Sequence, residues 1–297
     1  MDFPGAHAPD RTRTVNSSGL QIAVHEWGDP SAPPLMVAHG GFDFSRTLDV
    51  FAPMLAAGGW RVVAWDQRGH GDSDHALLYS WDADLRDAAA VFASTSPNAM
   101  PALGHSKGGE LMMHLADASP HLITTIINLD GLPAREARPD NADHDRTRML
   151  SGELNNWLDW RRSASTRERR PDTLEGLAKR RAKMNPRLSK EWLEYLVTVG
   201  GREDADGWRW KLDPVMRPGG FGPWRPEWIL ERMRGLPVPM LAVLATVKEL
   251  MGWPTTPEGL RPFLPDTARL VTVDDTGHFV HIEQPRYIAD LALEYLR

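Results

Sequence analysis

The chain of 297 residues contains no cysteine. Disulfides, thiolate metal sites and cysteine nucleophiles are therefore excluded, although this absence does not fix a compartment. Long apolar runs are missing too. Nowhere do eighteen apolar residues follow one another, and the opening MDFPGAHAPDRTRT lacks the apolar stretch of a secretion signal. Export and membrane insertion have no visible signal, so a cytoplasmic location is expected and a membrane partner is not. An excess of positive charge is also absent: Lys and Arg total 34 against 40 Asp and Glu, a formal charge of −6. A protein that tracks nucleic-acid phosphates normally presents a basic face, so nucleic acid is not an expected partner. The short basic runs Arg161-Arg162 and Arg167 to Arg170 stand beside acidic residues and read as solvated helix faces. Lysine is scarce, 6 against 28 arginines, a bias associated with GC-rich bacterial genomes.

What remains is the composition of an ordinary soluble globular protein, 41% hydrophobic and 25% charged. Its length suits one large core, or one core with a smaller inserted unit. In the first half, short apolar runs alternate with longer amphipathic ones, the signature of βαβ units and a largely parallel sheet. Candidate strands are 20–27, 35–38, 61–65, 100–103 and 122–129; candidate helices are 45–57, 81–93 and 106–118. Met36-Val37-Ala38 is apolar without alternation, as in a strand covered on both faces.

After Leu129 the rhythm breaks. From Gly131 to Gly235 the chain is rich in Arg, Trp and Pro, helix-like around 144–162, 173–184 and 189–199, and without strand-like runs. Alternation resumes over 238–245 and 268–273, with a terminal helix from about Pro285. The expected fold is therefore α/β: a mostly parallel sheet flanked by helices, formed by 1–130 and 236–297, with an α-helical cap or lid inserted at 131–235. The insert is about a third of the chain yet carries seven of the twelve tryptophans: 157, 160, 192, 208, 210, 224 and 228. A small helical unit needs large side chains for its own core. A ligand pocket also needs an apolar lining. Both uses are expected, with two or three of the seven facing ligand.

Gly104-His105-Ser106-Lys107-Gly108 fits G-x-S-x-G, between an apolar run and a helix-compatible one. The strand–turn–helix setting thrusts the serine hydroxyl above the sheet on a strained backbone, and small neighbours permit the tight turn. Serine needs a base to take its proton. The best candidate is His278, just after the last candidate strand, with His281 as its competitor three residues on.

The stretch Gly277-His278-Phe279-Val280-His281-Ile282-Glu283-Gln284-Pro285 resembles the α/β-hydrolase family, in its serine hydrolase branch of carboxylesterases and lactonases. In that family the base follows the glycine of G-H-x-x-x-x-E-x-P, which implies His278 as base and His281 as a non-catalytic neighbour. His39-Gly40-Gly41-Phe42, after a candidate strand, is similar to the family's oxyanion loop. The match implies the backbone N–H groups of Gly41 and Lys107 as donors. Asp66-Gln67-Arg68-Gly69-His70-Gly71-Asp72-Ser73 resembles the family's D-x-R-G-x-G-x-S structural turn. That match and the turn glycines account for His70, Asp72, Asp74 and His75 better than a metal does, so no metal or cofactor is expected. The resemblance covers roughly 15–130 and 236–297.

The acid departs from the family's commonest pattern. After the post-insert strand stands Ala245-Thr246-Val247-Lys248-Glu249, without aspartate. Glu249 serves only if the loop is shifted. The other family position is the end of the strand after the nucleophile helix, where Asp130 lies 24 residues beyond Ser106. Haloalkane dehalogenases and fungal zearalenone lactonases carry their acid there, and strand carboxyl ends are where such sheets build sites. Asp-Gly is also a turn dipeptide. Asp130 is preferred to Glu249. The side chain of Lys107, unusual beside the nucleophile, either meets a developing oxyanion or acidic substrate, or reaches a carboxylate such as Glu110, the favoured reading.

The expected reaction is hydrolysis of an ester or lactone of a bulky, apolar or aromatic small molecule through an acyl-enzyme. A serine nucleophile argues against the dehalogenase and epoxide hydrolase branches, which use aspartate there. The same triad also supports C–C or amide cleavage, acyl transfer or a lyase reaction, and a non-catalytic receptor is the remaining alternative. Oligomeric state has no signal in the sequence.

Overall fold

The computed structural model describes residues 2–133, 146–164, 168–216 and 226–297, without the side chains at 146–150, 153, 154, 156, 157 and 226–228. The first half runs β1 (Arg11–Ser17), β2 (Leu20–Trp27), β3 (Pro34–Ala38), α1 (Phe51–Ala57), β4 (Arg61–Trp65), α2 (Trp81–Thr95), β5 (Met100–His105), α3 (Lys107–Ala118) and β6 (Ile123–Leu129). A connection follows with α4 (Arg146–Ala164), α5 (Leu174–Ala182), α6 (Lys190–Gly200), β7 (Gly201–Asp204), β8 (Gly207–Trp210) and α7 (Pro226–Met233). The chain closes with β9 (Met240–Ala245), α8 (Pro257–Leu260), β10 (Ala268–Val273), α9 (Val280–Glu283) and α10 (Pro285–Tyr295).

Eight strands form one sheet in the order β1-β2-β4-β3-β5-β6-β9-β10. Pairing is parallel from β4 to β10, and antiparallel where β2 meets β1 and β4. Side chains alternate across a strand, so successive residues feed opposite faces. Met36 and Ala38 join a cluster with Phe92, Leu111, Met112 and Leu115 of α2 and α3. Leu35 and Val37 face Phe51 and Leu55 of α1 and Ile288 and Ala292 of α10. Both faces are thus covered, which is why these strands read as unbroken apolar runs.

Three sequence expectations change. The helix expected over 45–57 divides into a 3-10 turn at Ser45–Leu48 and α1. Pro53 stands in the first turn of α1, where no amide donor is needed. β1 went unforeseen because its charged residues alternate on an edge strand. The middle segment, expected to lack strands, contains the antiparallel pair β7–β8, too short and polar to stand out, turning at Gly207 with φ +126°.

β6 and β9 are parallel neighbours, so everything between them leaves the sheet at one strand's end and returns to start the adjacent strand. Within that connection, Leu177, Trp192, Leu193, Tyr195 and Leu196 build an apolar cluster. Phe44 and Phe279, from loops beyond the sheet, complete it.

Candidate active site

Ser106 sits between the end of β5 and the start of α3 at φ 51°, ψ −124°. Non-glycine residues hold such a backbone only where the surroundings enforce it, at about 1–3 kcal/mol. Its N–H donates to the carbonyl of Leu129 at 3.0 Å, and its own carbonyl accepts from Gly109 and Glu110. The flanking glycines are required sterically. A Cβ on Gly104 would lie 2.3 Å from the Gly108 carbonyl oxygen, and one on Gly108 2.2 Å from that of Ala38.

Asp130 follows β6, one residue beyond the partner of His105 in the ladder, and has φ 51°. Its N–H donates to the Val243 carbonyl at 2.8 Å, and its Oδ1 accepts the Ala245 N–H at 2.9 Å. The remaining oxygen, Oδ2, accepts from His278 Nδ1 at 2.7 Å. The His278 side chain is 3% exposed and that of Asp130 13%. A proton on Nδ1 leaves Nε2 as the lone-pair nitrogen.

Glu249 meets His278 differently. Its Oε2 accepts the backbone N–H of His278 at 2.6 Å, not a ring proton. Glu283 accepts the N–H of Gly277 on both oxygens, at 3.0 and 3.1 Å. Two carboxylates thus hold the backbone of the Gly277-His278 turn while a third holds the ring.

Three of the other histidines lie beneath this arrangement. His105 Nε2 donates to the His278 carbonyl at 2.9 Å, and the two rings stand 4.7 Å apart. Burial, then the neighbouring His281 and His278, pushes the His105 pKa well below the usual range. His281 packs 4.6 Å from His105, and burial pushes its pKa down to about 3. Both are neutral spacers. His39 Nδ1 donates to the Gly40 carbonyl at 2.7 Å, and its Nε2 accepts the Gln67 N–H at 2.9 Å.

Gly41 lies against the Lys107 side chain, where an added Cβ would be 3.6 Å from Lys107 Cδ. Lys107 opens α3, and first-turn amides have no acceptor within a helix. The Lys107 ammonium donates to Asp84 Oδ2 at 2.7 Å and to Gln67 Oε1, and lies over the Trp81 ring. The ammonium thus reaches a carboxylate, as favoured from the sequence, and the one at that distance is Asp84 of α2. Chain spacing could not find Asp84, because the contact joins two helices.

The Asp66–Ser73 stretch is a structural turn. Arg68 spans both oxygens of buried Asp87 at 2.7 Å each and the carbonyls of Leu78 and Ala83. Burial alone would raise the Asp66 carboxyl. The hydrogen bond and charge of His25, with His39 and the Asp72 N–H, hold it well below the usual range. His25, Asp66 and Asp72 cluster closely enough for cation-ligand geometry. His25 Nε2 already meets Asp66 at 3.2 Å, and Asp72 pairs with Lys211 at 2.7 Å.

Of the seven tryptophans, Trp192 is buried in the connection's own cluster, with Trp208 and Trp210 packed on it. Trp160 donates to the Val215 carbonyl. Trp210 also borders a cavity of about 410 Å³ shared with Arg161, Arg169 and Arg209. Trp224 and the side chains of Trp157 and Trp228 lie outside the described residues.

Residues 30–151 match the family model described as serine aminopeptidase, S33. A serine hydrolase-like protein of Danio rerio is 27% identical over 63% of this chain and 57% of its own length. The chain thus spans little more than half of that relative. An sn-1-specific diacylglycerol lipase, ABHD11, of Mus musculus is 24% identical over 91% of this chain and 82% of its own. Among solved structures, a thioesterase domain from the curacin biosynthetic pathway superposes with a TM-score of 0.79 at 25% identity, covering 95% of this chain and 99% of the domain. With this strand order, and with a thioesterase domain superposing across 95% of its length, the chain has the α/β-hydrolase fold.

Proposed function

We propose that the protein is a serine hydrolase that cleaves an ester or lactone of a small apolar or aromatic molecule through an acyl-enzyme. The observation that carries this reading is the 2.7 Å bond from His278 Nδ1 to Asp130, with Ser106 on a strained strand–helix turn next to His105, whose ring bonds the His278 carbonyl. Asp130 orients the imidazole and stabilises its charged form, leaving Nε2 to take the Ser106 proton. The Ser106 oxygen then bonds to the substrate carbonyl carbon, and the carbonyl electron pair moves onto oxygen, facing the amides of Gly41 and Lys107. Collapse expels the alcohol, which takes the proton from His278. Water, deprotonated by His278, attacks the acyl-enzyme and releases the acid. Glu249 holds the backbone of the base and is not the triad acid.

Residues 131–235 act as the lid over this site, and their tryptophan content supports an apolar substrate part. The substrate is a small molecule met in the cytoplasm, with no metal or cofactor required. A thioester is the second reading, favoured by the likeness to the curacin thioesterase domain. It uses the same acyl-enzyme with a thiol as leaving group.

The test is turnover of p-nitrophenyl esters and labelling by a fluorophosphonate. Wild-type protein should hydrolyse the esters and react with the probe at Ser106. Ser106→Ala should lose on the order of 10⁴-fold or more in kcat and fail to label. Full activity in that variant, or labelling elsewhere, would sink the reading.

A further inference from the structure

A loop amide that must receive a developing negative charge has no helix or strand to fix it. One backbone bond, from the Asp43 N–H to the Gly40 carbonyl at 3.3 Å, closes a turn across Gly41, and side chains hold the rest. On the core side, Gln67 Nε2 donates to the His39 carbonyl at 2.6 Å, and the Phe42 N–H donates to His70 Nε2 at 3.2 Å. His70 Nδ1 in turn donates to the Arg68 carbonyl at 2.9 Å, which fixes the tautomer that lets Nε2 accept. From the opposite side comes Arg181, on α5 of the β6–β9 connection. Its Nη1 donates to the Phe42 carbonyl at 3.1 Å and its Nη2 to the Asp43 carboxylate.

Phe42 is a non-glycine residue at φ +63°, a conformation kept only where neighbours hold it. Both of its backbone polar groups are engaged, one by the core and one by Arg181. The guanidinium also lies 5.9 Å over the ring of Phe279, the residue after His278. One side chain therefore touches the loop before Ser106 in sequence and the turn that carries the base. The Asp43 side chain is 2% exposed and that of Arg181 15%. A buried carboxylate left without its cation is strongly destabilising, so this pair is held closed.

Resting on the reading of Gly41 as an oxyanion donor, we infer that Arg181 is a positioning residue that reaches from the connecting segment to hold Phe42 and Asp43, and through them the Gly41 amide. It touches neither substrate nor reacting atoms in this role. A guanidinium suits the task because its planar fork offers two fixed donors, where an ammonium offers a point charge. The chemical step thereby depends on how the segment docks, even for a substrate too small to touch it.

The experiment uses the full chain with p-nitrophenyl acetate, comparing wild type, Arg181→Ala, Arg181→Lys and the double variant Arg181→Ala/Asp43→Asn, each with a thermal melt. Arg181→Ala should lower kcat about 10- to 100-fold, the scale of a misplaced catalytic group, with KM within about twofold. Arg181→Lys should fall between it and wild type. Millimolar guanidinium should restore part of kcat to Arg181→Ala and none to wild type. The double variant removes the stranded charge, so its melting temperature should recover while its kcat stays low. Folded Arg181→Ala with kcat within twofold of wild type, or with the whole loss in KM, overturns the inference. If Arg181→Ala does not fold, the same criteria apply to the lysine and double variants. Full turnover by Ser106→Ala would remove the esterase reading and this inference together. Normal loss there, with unchanged Arg181→Ala kinetics, removes the inference alone.

Discussion

At the carboxyl ends of β5 and β6 the chain is positioned mainly by its backbone. Ser106 and Asp130 both sit at φ 51° and are tied by main-chain bonds to Leu129 and Val243, with glycines where no Cβ would fit. The connection between β6 and β9 is positioned by side chains. Its apolar cluster closes on Phe44 and Phe279 of the core loops, and its polar anchors include Arg181 to Asp43, Tyr195 to Asp49 and Arg187 to Glu283. Backbone placement leaves a reacting group little freedom. Side-chain anchoring tolerates large changes in the attached segment, provided that each anchor finds its partner. Substitutions in the first region should therefore act on turnover and those in the second on stability, with Arg181 the exception because it holds the loop of Gly41.

The largest effect should separate the two acids. Asp130→Asn leaves the His278 ring in the wrong tautomer and should cost about 10⁴-fold in kcat. Glu249→Gln keeps an acceptor for the His278 amide and should cost far less. Steady-state kinetics decide it, and a greater loss in Glu249→Gln would reverse the assignment. Next comes Trp192→Ala in the connection's cluster, where the side chain is buried. It should destabilise by about 3–5 kcal/mol in urea unfolding. Its kcat per folded molecule should fall less than tenfold, so a loss as deep as that of Asp130→Asn would break the division between the regions.

The smallest effect concerns the anchor at Asp49. Burial pushes its carboxyl up to about 6, against bonds from Tyr195 and Arg46 that pull it down. The folded state therefore holds this proton more tightly than the unfolded chain. The group favours folding below its usual 3.8, and that contribution fades as pH rises through about 6. Asp49→Asn removes the titration. Its melting temperature minus that of wild type should be more positive at pH 7.5 than at pH 4.5, by the equivalent of roughly 1–3 kcal/mol. Equal differences at both pH values would show that Asp49 titrates alike in both states.

Much of the sheet was readable because strands covered on both faces must be apolar where buried, as 35–38 and 62–65 are. The Ser106 turn was readable because its glycines are a steric necessity. Other features carried no such mark. The edge strand β1 is polar, and β7–β8 is four residues a side. His105, Gln67 and Arg181 look like any other residues of their type until the fold brings them to the site.

The sequence by itself determined the inner strands and the serine turn, because local sterics and periodicity need only near neighbours in the chain, and the resemblance of 277–285 implied the histidine turn. It preferred Asp130 to Glu249 as the partner of His278 without giving Glu249 a use. Only the tertiary structure placed the Asp130 carboxylate on Nδ1 and the Glu249 carboxylate on the backbone N–H of the same residue. The same holds for the pairing of Lys107 with Asp84 and of Arg181 with Asp43. Such pairs join residues up to 148 positions apart, and their partners follow from how strands and helices pack rather than from any spacing along the chain.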